Sequence, residues 1–179
     1  MKHSVFIALS LTVACACAAT GLEKIKPHPR LFADAAGFEA LKARLATDEL
    51  VRRGAAYVHR DADKQLAGAI PERKIKDGLR LLSVSHAIGD RVILHAMAYR
   101  LFGDRRHLAK AEELMLAAVA FTDWNPSHFL DVAVMSFGVA VGYDWLYGDL
   151  PPDSRAAIRA GLVRHGLDPG LAKRGPYLK

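Results

Sequence analysis

An all-α fold is predicted by three features of this sequence. No stretch alternates apolar and polar residues as a strand would, apolar residues recur at helical spacing in several segments, and capping residues punctuate those segments. The connections between them are short, so consecutive helices are expected to lie antiparallel, as hairpins.

The elements follow in chain order. Lys2 and His3 precede an apolar run from Val5 to Ala19 that closes on small residues, the pattern of a secretory signal occupying 1–19. That run of about 15 residues is shorter than the ~20 that span a bilayer, so the expectation is export to the periplasm or beyond, without a retained membrane helix. Cys15 and Cys17 both lie within it, which leaves 20–179 with no disulfide framework and no thiolate metal site. A lipid anchor on either cysteine is a variant of the same reading. Lys24 to Arg30, with Pro27 and Pro29, reads as an extended lead-in. Asp34 then caps a segment carrying Phe38, Leu41 and Leu45, and Thr47 or Asp48 starts a second that runs to about Leu66 before Gly68 to Pro71 breaks it. A long helix is expected from about Asp77 to Phe102, ended by Gly103, and a fourth from Asp104 to about Phe121. The fifth, apolar on every side, should run from about His128 to Tyr147, with Ser127 as its cap and a left-handed Gly148 as its stop. The sixth opens at Pro152 and ends near Gly166.

Polarity alternates along this series. The helices at 77–102 and 128–147 are the more apolar, while those at 104–121 and 152–165 carry the charges, as expected when inner helices are wrapped by outer ones. That is the layout of part of an incomplete α/α toroid, or of a solenoid of hairpins. Inner helices of such a stack start at a common rim. The rim gathers Trp124, Asn125, His128 and Asp131 from one helix and Lys74, Lys76 and Arg80 from the other, and these are the candidate substrate-binding residues. His128 and Asp131 share a face of the first turn, where free amides favour an anion; the competing reading is an Asp satisfying helix-start amides with a His packed beside it. The far tip, Tyr143 to Tyr147, is roughly 24 Å away at about 1.5 Å per residue. Trp145 is expected there as a packing anchor, with Trp124 the better platform for a sugar ring. His86 and His95 fall on different helix faces, and there is no phosphate-binding glycine loop or zinc spacing, so neither metal nor cofactor is expected. The 25 Lys and Arg against 19 Asp and Glu give a net charge of +6, or +5 once Lys2 leaves with the signal. This balance suits an acidic partner and equally suits ordinary solubility.

Four segments, His28-Pro-Arg-Leu-Phe32, Ala98-Tyr-Arg-Leu-Phe-Gly-Asp104, His128-Phe-Leu-Asp-Val-Ala133 and Gly142-Tyr-Asp-Trp-Leu-Tyr147, occur in that order. In them the chain resembles the N-terminal helical toroid of the heparinase II/III-like polysaccharide lyases. The resemblance implies a larger enzyme, with an incomplete toroid followed by β-sandwich regions, that cuts acidic polysaccharide by β-elimination. Such chemistry needs a group to neutralise the uronate carboxylate, a base for the adjacent proton and an acid for the leaving oxygen. The resemblance also places the Asn- and His-bearing segment and the catalytic Tyr beyond Lys179, in a further C-terminal part of the same chain. The expected partner is an acidic polysaccharide, with no nucleic acid and no membrane once the signal is cleaved. Members of that family often carry Glu where this chain has Val134. That departure, together with the placement of the catalytic residues beyond Lys179, motivates the alternative, a non-catalytic helical carbohydrate-binding or scaffold domain.

Overall fold

The computed structural model describes residues 25–172. The signal expected at 1–19, with Cys15 and Cys17, lies outside that range. Among the described residues the structure is helical throughout, with no strand: α1 (Ala35–Arg44), α2 (Glu49–Gln65), α3 (Leu82–Phe102), α4 (Arg105–Ala120), α5 (Phe129–Leu146), α6 (Pro152–Gly161), a π-helical stretch Leu162–Leu167 and α7 (Asp168–Ala172).

Local chemistry explains most boundaries. Asp34 accepts from the Gly37 amide and Asp48 from the Leu50 and Val51 amides, so α1 and α2 begin where aspartates satisfy otherwise orphaned donors. Asp104 does the same for α4, and Gly103, at φ 72°, takes the left-handed turn that ends α3.

Four expectations fail at helix ends. The long helix starts at Leu82, not near Asp77, because the Asp77 carboxylate accepts from the amides of Leu79 and Arg80 and Gly78 sits at φ 74°, which closes a turn instead. Ser127 does not cap α5: its hydroxyl donates to the Asn125 side-chain oxygen, and His128 holds the cap position without a side-chain bond. Gly148 is not left-handed; the amides of Asp149 and Leu150 both return to the Leu146 carbonyl. The sixth helix does not end near Gly166 but passes through the π-helical stretch into α7. There the Arg164 guanidinium reaches the Val119 carbonyl at 3.0 Å, tying the stretch to the end of α4.

The core forms around the pair α3 and α5, which run parallel. Their starts meet where Asp131 accepts from the Leu81 amide, and their ends meet where Arg100 donates to the Trp145 carbonyl. At mid-length they touch backbone to backbone: a Cβ on Gly138 would lie 2.2 Å from the Gly89 Cα, so only glycine allows this approach. Outside the pair, α4 returns antiparallel to α3, with His107 against His95, and buries Leu108, Leu114, Met115 and Ala118. The apolarity of α5 follows from this position, since it has the length and hydropathy of a membrane span and more than half of it is packed inside the protein. One stripe of it, Leu130, Ala133 and Phe137, stays exposed.

Candidate functional site

Each end of α5 carries a buried aspartate clamped by a histidine and by two N–H donors. At the start, one Asp131 oxygen accepts from the Leu81 amide (2.6 Å) and the Asn125 side-chain amide (2.7 Å), and the other meets His128 Nδ1 at 2.8 Å. Burial raises the Asp131 carboxyl, but these bonds from Asn125, Leu81 and His128 outweigh it and hold the acid below the usual carboxylate range. Its role is structural: it caps α3, whose Leu81 cap residue has no side-chain bond of its own to offer. Asn125, at φ 59°, spans the gap by donating to both Asp131 and the Leu79 carbonyl.

The start of α5 therefore differs from the expected sugar site. Trp124 offers no face to a ligand; it is fully buried, and its indole donates to the Ala118 carbonyl at 2.9 Å. Asn125 and Asp131 are likewise buried and spend their polar atoms on the protein itself. His128 is the partly open member, with 29 % of its side chain exposed. The two loops predicted to share a rim do so, because Arg73 bonds Asp123 and the 79–81 backbone meets Asn125 and Asp131. Lys74, Lys76 and Arg80 are exposed on that rim. Arg80 is paired with Asp77, and no bond joins any of the three to His128 among the described residues. A surface cavity of about 430 Å³ there is lined by Lys76, Asp77, Arg80, Leu82, Ser83 and His86.

At the far end, one Asp144 oxygen accepts from the amides of Arg30 and Leu31, both at 2.8 Å, and the other meets His28 Nδ1 at 2.5 Å. Trp145 beside it is buried against Phe38 and donates to the Leu31 carbonyl, which makes it the packing anchor expected of it. These contacts hold Phe32 at φ 63°, a conformation rarely adopted by a bulky side chain. His28 stacks on Tyr147, with ring centres 4.2 Å apart, and meets Tyr143 edge-on. All three rings face a cavity of about 390 Å³ that Arg30 and Arg159 also line. Burial, with Tyr147 alongside, pushes the Tyr143 phenol up from its usual range, so it stays protonated at neutral pH.

Neither a protein-family model nor a curated protein matches this chain significantly.

The site candidates that sequence reasoning missed are thus His28, Arg30, Tyr143, Tyr147 and Arg159. The signal was available in part. Two of the four ordered motifs contain His28, Arg30, Tyr143, Asp144 and Tyr147, but nothing in the spacing says that segments more than a hundred residues apart close on one carboxylate. Among the described residues no group of three His, Cys, Asp or Glu is placed to hold a metal ion.

Proposed function

We propose that this chain is the N-terminal helical portion, part of an incomplete α/α toroid, of an exported lyase that cleaves acidic polysaccharide by β-elimination. One observation carries the reading: three of the four segments that resemble the heparinase II/III-like lyases are bound to one another. Asp144 holds the Arg30 and Leu31 amides, Trp145 donates to the Leu31 carbonyl, and Arg100 from the segment at 98–104 donates to the Trp145 carbonyl. Residues that depend on each other in this way form a unit, so their joint presence weighs more than three short matches. The parallel packing of α3 and α5, with α4 outside, also suits inner and outer layers of a toroid.

The alternative, a non-catalytic carbohydrate-binding or scaffold domain, draws on the burial of Trp124, Asn125 and Asp131, which leaves the start of α5 without the acid and base that elimination requires. The deciding experiment expresses the complete reading frame that contains these residues and incubates it with acidic polysaccharides. Elimination creates a conjugated double bond, so absorbance at about 232 nm should rise. Sugar binding without that rise favours the alternative, and neither result is compatible with both.

A further inference from the structure

The cavity at the C-terminal end of α5 brings together polar groups that the protein does not use. Asp144 there is fully engaged, but the other polar ends around it are not. Among the described residues, the Arg159 guanidinium, the Tyr143 and Tyr147 hydroxyls and the second ring nitrogen of His28 have no hydrogen-bond partner. Neighbouring cations are occupied: Arg155 donates to the Tyr147 carbonyl and lies over its ring, and Arg100 pairs with Asp149. Arg30 donates one nitrogen to the Lys26 carbonyl and keeps another 3.9 Å from Asp144. The cavity lining thus combines three aromatic rings, from Tyr143, His28 and Tyr147, with two cations, Arg159 and Arg30.

We propose that this cavity binds a carboxylate-bearing sugar, with Arg159 and Arg30 on the carboxylate and the Tyr143, His28 and Tyr147 rings against the pyranose. The ligand class follows from these two sets of groups. A guanidinium recognises a carboxylate by paired N–H donors, and an aromatic face takes the C–H face of a sugar while its hydroxyl serves the ring's own hydroxyls. Because Asp144 anchors His28 through one nitrogen, the other is held in place as a further contact. The volume of about 390 Å³ admits one sugar residue, with the open side left for the chain to continue. The sugar class rests on the function proposed above, whereas the position of the site rests on the cavity alone.

The test titrates the full chain with sodium D-glucuronate, D-glucose and sodium acetate, following Tyr and His ring signals by NMR. Glucuronate should shift the His28, Tyr143 and Tyr147 signals saturably, with a Kd on the order of 1 mM as befits one sugar unit. Glucose and acetate should each bind at least about fivefold more weakly, since each supplies half of the contacts. Arg159→Gln, on the exposed face of α6, and Tyr143→Phe should each weaken glucuronate by a similar factor, with unchanged spectra elsewhere. Acetate binding as tightly as glucuronate would overturn the sugar assignment, glucose doing so would overturn the carboxylate assignment, and the absence of any shift at these rings would overturn the site. Shifts here with no elimination by the complete protein would uphold the site and refute the lyase; elimination without these shifts would do the reverse.

Discussion

The two ends of α5 carry nearly the same device and put it to different use. Both present an aspartate that binds two N–H donors on one oxygen and a histidine on the other. At the start the donors come from the Leu81 amide at the head of α3 and from Asn125 in the loop that leads into α5, the adjacent indole is sealed in the core, and His128 looks outward without a ring contact among the described residues. At the end the donors come from the extended lead-in, and His28 stands between two tyrosines in a cavity with two arginines. Exposure does not separate them, since the His128 side chain is 29 % exposed and that of His28 18 %. What differs is the company of the free ring nitrogen. A histidine–carboxylate pair is a fastener in one place and part of a recognition surface in the other.

The comparison breaks first at the aspartates. Asp131→Ala and Asp144→Ala should each destabilise the fold by roughly 2–5 kcal/mol, because each strips the acceptor from two N–H donors at a site with little water. Urea unfolding measures this. Equal losses support the shared device, and a negligible loss for either variant shows that end to be dispensable. Gly138→Ala should cost somewhat less, about 1–3 kcal/mol, by forcing the helices apart where a methyl would meet Gly89 backbone at 2.2 Å. It lies midway along α5, so it should lower the melting temperature without favouring either end. If glucuronate affinity falls as well, the cavity depends on the α3–α5 spacing.

The smallest effect near neutral pH sets the range in which the two ends can be compared. His95 is fully buried against His107, and burial, with the neighbouring His107, pushes it from 6.5 down to about 4; burial also lowers His107. Between these values the unfolded chain binds protons that the folded chain refuses. The stability contributed by the neutral pair is therefore complete above about 6.5 and is lost as pH falls toward about 4. Urea midpoints measured across that window should drop with falling pH, and a flat profile would show that the pair is not neutral and buried.

Much of this was legible in the sequence. Asp34, Asp48, Asp104 and Gly103 announce their helix boundaries because capping is local chemistry, and the apolar α5 announces a central position. The shared rim of α3 and α5 was legible too, from the alternation of polar and apolar helices. The start of α3 was not, because an aspartate followed by glycine fits a turn as well as a cap, and Asp77 takes the turn. Trp124 is ambiguous in the sequence for a related reason: an aromatic before a helix start reads the same whether its ring faces a ligand or the core, and only packing against α4 decides. His28 lies more than a hundred residues before Asp144 and Arg159 on the separate helix that follows α5, so their meeting at Asp144 and Tyr143 is a property of the tertiary fold. Proximity of that kind leaves no spacing to read.

The central claim, that recognition lies at the end of α5 and fastening at its start, is tested most directly by following the His28 and His128 ring signals together during a glucuronate titration near neutral pH. His28 should shift saturably with His128 unmoved. A shift of His128 with His28 unmoved would return the site to the start of the helix and contradict it.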